Sequence, residues 1–201
     1  MDVIETLIPD VKLIRMRRHV DERGFFSETY SARALADAGI ATPFVQDNHS
    51  LSAHRGTVRG LHFQIPPHAQ AKLVRVVRGA VLDVAVDLRV GSSTFGRHVA
   101  ATISADEWNM LFIPEGFAHG FCSLTPETEV VYKASRHYAP THDRGIAWDD
   151  PELGIDWPVP HEAAIVSAKD RALPPFASLM PWFAMTAGGS AEAEREVSHA
   201  G

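Results

Sequence analysis

Val81-Leu82-Asp83-Val84-Ala85-Val86-Asp87-Leu88 decides the fold class. In an extended chain Leu82, Val84, Val86 and Leu88 share one face, and Val81, Asp83, Ala85 and Asp87 share the other. That two-residue alternation predicts a half-buried strand. Leu73-Val74-Arg75-Val76-Val77 precedes it across Arg78-Gly79-Ala80, so the pair reads as two strands joined by a tight turn. Further strands are expected over residues 11–16, 25–30, 98–103, 110–113 and 130–135. Short strands punctuated by Gly, Pro and Asp predict an all-β antiparallel sandwich or barrel with a few short helices. The best helix covers residues 31–38, with Ser31 as N-cap and Gly39 just past its end. Residues 1–185 read as one β domain, and the small, polar stretch over 186–201 reads as a flexible tail.

Composition narrows the function classes. The chain has 201 residues and a formal net charge of −6, which argues against a protein that coats nucleic acid or an anionic membrane. No run approaches 18 apolar residues, and Met1-Asp2-Val3-Ile4-Glu5 lacks the basic start of a secretory signal. Cys122 is the single cysteine, which excludes an intrachain disulfide and fits a cytoplasmic location. Eleven histidines invite a metal reading.

Three segments concentrate the polar residues that active sites use. In Asp21-Glu22-Arg23-Gly24-Phe25-Phe26-Ser27-Glu28, Arg23 offers a fork to phosphate and Phe26 a stacking face. The bland reading is a charged turn. The second segment runs from Gln46-Asp47-Asn48 through Arg59-Gly60-Leu61-His62-Phe63-Gln64 to Lys72. Gly60, His62 and Gln64 should share a face there, and Arg59 joins them only if a bulge at Gly60 turns it. The third, Pro114-Glu115-Gly116-Phe117-Ala118-His119, delivers His119 onto a strand after a turn, with Tyr132 and Tyr138 following.

The last two segments resemble the two motifs of the cupin superfamily, a small β barrel of the jelly-roll type. Metal-binding cupins carry a second His and a Glu where this chain has Gln64 and Lys72. A lysine repels a divalent cation and an amide is a poor transition-metal ligand, so no metal is expected. Eight segments are then similar to one family, the dTDP-4-dehydrorhamnose 3,5-epimerases. They are Asp21-Glu22-Arg23-Gly24-Phe25-Phe26, Val45-Gln46-Asp47-Asn48-His49-Ser50, Arg59-Gly60-Leu61-His62-Phe63-Gln64, Pro114-Glu115-Gly116-Phe117-Ala118-His119-Gly120-Phe121, Tyr132-Lys133, Trp148-Asp149-Asp150-Pro151, Gly154-Ile155-Asp156-Trp157-Pro158 and Ser167-Ala168-Lys169-Asp170. They run in family order over roughly residues 1–176.

The resemblance implies a thymidine-diphosphate sugar with a ketone at C4 as substrate, and acid–base inversion at C3 and C5 through enolates with no cofactor. It implies His62 as base, Asp170 as its orienting partner, Tyr132 as the acid on the opposite face and Lys72 at the enolate oxygen. His119 and Arg59 would bind sugar and diphosphate. Arg23, Glu28, Gln46, Asp47, Asn48 and Lys169 would line the nucleotide end, with Phe26 and Tyr138 near the base. Asp143 stands where the family usually has a glutamate, and its shorter side chain reaches less far toward the substrate contact the family makes there. The resemblance also implies a homodimer that exchanges its N-terminal strand. The alternatives are a relative that inverts only C3 or isomerises the keto sugar, a sugar-nucleotide-binding cupin without catalysis, and a metal-dependent cupin dioxygenase, which Gln64 and Lys72 at the ligand places disfavour.

Overall fold

The computed structural model describes residues 1–184, so the tail expected over 186–201 lies outside the described residues. The chain opens with β1 (Asp2–Glu5), β2 (Lys12–Arg15), β3 (His19–Asp21), β4 (Gly24–Phe26) and helix α1 (Ala32–Asp37). The main strands follow as β5 (Gln46–Ser52), β6 (Thr57–Gln64), β7 (Lys72–Arg78) and β8 (Ala80–Asp87). After the short β9 (Arg89–Val90) come β10 (His98–Ser104), β11 (Asn109–Ile113), β12 (Phe117–Ser123) and β13 (Thr128–Ala134). The C-terminal part adds β14 (Asp143–Gly145), β15 (Ile165–Val166), helix α2 (Ala168–Arg171) and β16 (Phe183–Ala184).

Two sheets face each other. One has the order β1-β2-β11-β7-β13-β5, and the other β10-β8-β12-β6-β14 with β15 alongside β6. All pairs in them are antiparallel except β15 with β6. This is the antiparallel two-sheet architecture expected of a cupin-type barrel. β7 and β8 are joined through Gly79, as expected, but they belong to different sheets. The turn is therefore a corner of the sandwich and not a hairpin.

Three apolar layers hold the sheets. Val74, Val76, Leu111 and Val130 of the first sheet meet Val81, Ala85, Val99, Phe117 and Phe121 of the second in the interior. The outer face of the second sheet packs Leu61, Phe63, Val84, Val86 and Ala118 under Ile146, Leu153 and Phe176 from the C-terminal part. The outer face of the first sheet packs Ile14, Leu73, Met110 and Phe112 against Leu35 of α1.

The half-buried reading of residues 81–88 does not hold. In β8 Val81, Asp83, Ala85 and Asp87 are buried, and so are Val84 and Val86 on the other face. Alternation reports which residues share a face, whereas burial depends on what covers it, and here distant segments cover both. The strand expected over 25–30 stops at Phe26. Beyond it the Ser27 hydroxyl donates to the Arg17 carbonyl and accepts the Trp108 indole N–H. Helix α1 matches its signals: the Ser31 side chain accepts from the Ala34 N–H, and Gly39 takes φ +82 after the C-cap.

Candidate active site

The interior is apolar along most of its length and polar at one place, where residues of β5, β6, β7, β12, β13, β15 and α2 converge. The convergence starts at Gly60. His119 pairs with His62, but Phe121 pairs with Arg59, so two residues of β6, Gly60 and Leu61, oppose the single Gly120 of β12. This is the bulge that the glycine allowed. A Cβ on Gly60 would lie 2.6 Å from the Gly120 Cα, and one on Gly120 would lie 2.7 Å from the Arg59 carbonyl. Paired glycines let the two strands approach there. The extra residue turns Arg59 to the same side as His62, and both line one cavity of about 550 Å3.

Opposite the bulge, β15 runs parallel to the start of β6 and delivers α2 beside it. Ser167 caps α2 by accepting the Asp170 N–H. The Asp170 carboxylate is thereby held with one oxygen 2.8 Å from His62 Nε2 and the other accepting the Gly60 N–H at 3.1 Å. Burial opposes its charge, but the hydrogen bond and charge of His62, with the Gly60 and Ser167 bonds, hold it below the ordinary aspartate range. A carboxylate at Nε2 fixes the proton there and leaves Nδ1 with the lone pair.

Lys72, His119 and Asp83 form a second chain. His119 Nε2 lies 3.0 Å from Asp83 Oδ1, and its Nδ1 lies 3.5 Å from Lys72 Nζ. Burial pulls Lys72 down to about 8 against the opposing charges of Asp83 and Asp143. Burial also lowers His119, an effect that Lys72 and His62 deepen and Asp83 resists. Tyr132 enters from β13 in the other sheet, with Lys72 Nζ 5.9 Å from its ring centroid. Burial raises its phenol, moderated by Arg59 and reinforced by Asp143. The cavity therefore presents a histidine–aspartate dyad from β6 and α2 on one side and a phenol and an ammonium from the facing sheet on the other.

The rim is built from charged pairs. Lys169 donates to Asp143 at 2.6 Å, and this bond raises the lysine. Tyr138 donates to the same carboxylate oxygen at 3.3 Å. Gln46 accepts the Tyr138 N–H and donates to Asn48, its inward neighbour on β5. Arg59 donates to Ser52 Oγ and the Leu51 carbonyl, which fixes its stem.

Four expected binding residues lie elsewhere. Asp47 projects from the opposite face of β5 and accepts from Lys133 at 2.9 Å, so it does not line this cavity. It faces a separate hollow of about 360 Å3 with Tyr30, His49 and Arg75. Arg23, Phe26 and Glu28 do not line the cavity either. They belong to or follow the exposed β3–β4 hairpin, where Arg23 pairs with Asp21 and Phe26 is 72% exposed.

Sequence reasoning missed Asp83. Its signal was an acid sharing a strand face with Val81 and Ala85, a placement that requires a buried partner. Gln64, at a metal-ligand place of the cupin motif, spends its amide on the His68 and His137 carbonyls and the Ala139 N–H. Among the described residues no three of His, Cys, Asp and Glu converge as a metal-holding group. No helix among them is long and apolar enough to cross a membrane.

Residues 5–178 match the family described as dTDP-4-dehydrorhamnose 3,5-epimerase. A relative from Pseudomonas aeruginosa with that name is 52% identical over 172 residues, covering 85% of this chain and 93% of its own. A crystal structure of the Bacillus anthracis epimerase with TDP and PPi bound is 50% identical, with a TM-score of 0.84 over 87% of this chain and 98% of that one. The Legionella pneumophila dTDP-6-deoxy-D-glucose-3,5-epimerase, solved with dTDP-4-keto-L-rhamnose, is 39% identical, with a TM-score of 0.87 over 92% and 99%.

Proposed function

The chain belongs to the dTDP-4-dehydrorhamnose 3,5-epimerase family, and from that premise we propose how its own residues carry the reaction. The substrate is dTDP-4-dehydro-6-deoxy-D-glucose and the product dTDP-4-dehydro-L-rhamnose. The C4 ketone acidifies the hydrogens on C3 and C5, so removing either leaves an enolate whose charge sits on the carbonyl oxygen. The substrate supplies its own electron sink.

His62 takes the carbon-bound proton on Nδ1, and the Asp170 carboxylate at Nε2 stabilises the imidazolium that forms. Tyr132 returns a proton to the other face of the ring, which is what inverts the centre. The Lys72 ammonium is placed for the enolate oxygen, a contact of the kind worth about 3 kcal/mol of barrier. Arg59 binds the diphosphate, the His119 ring lines the sugar end of the cavity, and Lys169 adds charge at the rim. These cations also reconcile an acidic protein with an anionic substrate. The observation that carries the reading is that the His62–Asp170 dyad and Tyr132 line one cavity from opposite sheets.

Arg23, Phe26 and Glu28 complete the nucleotide end from a second copy of the chain, in a homodimer that exchanges N-terminal strands. Their exposure, and a lining of their own chain's cavity that does not include them, support this. Mixing His62→Ala and Arg23→Ala subunits would then rebuild one intact site per heterodimer. Activity should reappear on mixing, and its absence would refute the exchange. The single cysteine supports a reducing, cytoplasmic setting.

The direct test is incubation with dTDP-4-dehydro-6-deoxy-D-glucose in D2O followed by NMR. Deuterium at C3 and C5 with inverted product supports double epimerisation. Deuterium at C3 alone would identify a C3 epimerase, and none at either carbon would refute the assignment. Turnover is expected to persist in EDTA.

A further inference from the structure

We infer that Asp83 is a positioning residue for the epimerisation, acting through His119 on Lys72; the inference rests on the epimerase reading above. Asp83 sits in the middle of β8 and points inward, with no solvent exposure. Its Oδ1 meets His119 Nε2 at 3.0 Å, while Oδ2 is the one buried side-chain polar atom without a hydrogen-bond partner among the described residues. A half-satisfied carboxylate in a sealed interior opposes folding, and a valine or alanine there would continue the apolar face of Val81 and Ala85. The fold needs no charge at this position, so its use lies in what the charge does to its neighbours.

The geometry gives that use a direction. Lys72 Nζ, 3.5 Å from His119 Nδ1, can only donate, so Nδ1 has to carry the lone pair. Asp83 can only accept as a carboxylate, so it fixes the His119 proton on Nε2 and leaves Nδ1 to receive the ammonium. The contact is long, as such contacts often are before substrate closes the site. The same carboxylate charge keeps Lys72 protonated against its burial. The other groups around the lysine are His62 and Arg59 from β6, Tyr132 from β13, Asp143 from β14, and Lys169 and Asp170 from α2. Of these only Asp143, at the rim, also opposes the loss of its proton.

Two measurements test this. In 15N-histidine-labelled wild-type protein without substrate, His119 should be neutral with its proton on Nε2 between pH 6.5 and 8. A proton on Nδ1, or a doubly protonated ring, would overturn the inference. This readout is independent of turnover, so it is distinguishable from failure of the epimerase reading, which would show as wild-type protein that converts no substrate. In Asp83→Asn the amide oxygen can still accept from Nε2, but the charge is gone. A Lys72 pKa lower by about one unit would make the variant-to-wild-type kcat ratio fall about seven-fold from pH 6 to pH 8.5. A ratio that does not change with pH would mean a merely structural role and overturn the inference. If the variant does not fold, the tautomer in the wild type still decides.

Discussion

Replacing Asp170 by asparagine isolates the part of the site that makes His62 a base. The aspartate uses both oxygens as acceptors, Oδ1 toward His62 Nε2 at 2.8 Å and Oδ2 toward the Gly60 N–H at 3.1 Å. An asparagine has one oxygen and one NH2. If the oxygen faces Gly60, the NH2 donates to Nε2, the imidazole proton moves to Nδ1 and the lone pair points away from the substrate. If the oxygen faces His62, two N–H groups confront each other at Gly60. Losing a charge-assisted bond removes roughly 1.5–3 kcal/mol, and an unsatisfied buried donor costs roughly 1–3 kcal/mol. At about 1.4 kcal/mol per decade the fall in kcat should be ~100- to 10,000-fold. The assay is C3 and C5 deuterium incorporation and product formation by NMR at pH 7, with folding checked by circular dichroism. Stability supplies a second readout. Because the folded aspartate is held below its ordinary range, it stabilises the fold above pH ~4 and loses that contribution as pH falls through the folded pKa. The melting-temperature gap between wild type and variant should therefore narrow on acidification. A variant within ten-fold of wild-type kcat would refute the dyad.

Three further outcomes are expected. Since the Lys72 ammonium is required and burial pulls it down to about 8, kcat should fall as pH rises through about 8; a flat profile from pH 7 to 9.5 would exclude the lysine. Gly60→Ala forces a Cβ to 2.6 Å from Gly120 at φ +124, which should cost about 3 kcal/mol or more of stability and redirect Arg59 and His62. Chemical denaturation checks it, and a change below about 0.5 kcal/mol would contradict the bulge. Asp143→Asn frees the exposed Lys169 from its ion pair, so KM should change by at most about five-fold while Tm barely moves; a much larger rise in KM would mean that Asp143 itself contacts the substrate.

The fold class, most of the strand positions and helix α1 are legible in the order of residues, because alternation, turn residues and the Ser31 cap are written within a few neighbouring positions. The motifs also brought His62, Lys72, His119, Tyr132 and Asp170 onto one short list, and the structure gathers those five around one cavity. The bulge at Gly60 was legible only as a condition, since a glycine permits an extra residue but the partner strand decides whether one is inserted. Asp47 illustrates the limit. It sits one position from the inward Asn48, and the pleat alone sends it to the far face and to Lys133.

Burial and partnership came instead from contacts between distant segments. β8 looked half-exposed because nothing within it reveals that its Val81-Asp83-Ala85 face meets the other sheet while Ile146, Leu153 and Phe176 lie over its Val84-Val86 face. The dyad joins residues 108 positions apart, and Asp83 meets His119 across two neighbouring strands. A side chain's charge, tautomer and function depend on the groups packed against it. Those groups come from whichever segments the sheets bring together, so the local sequence fixes the shape of each strand and leaves its chemistry to the neighbours.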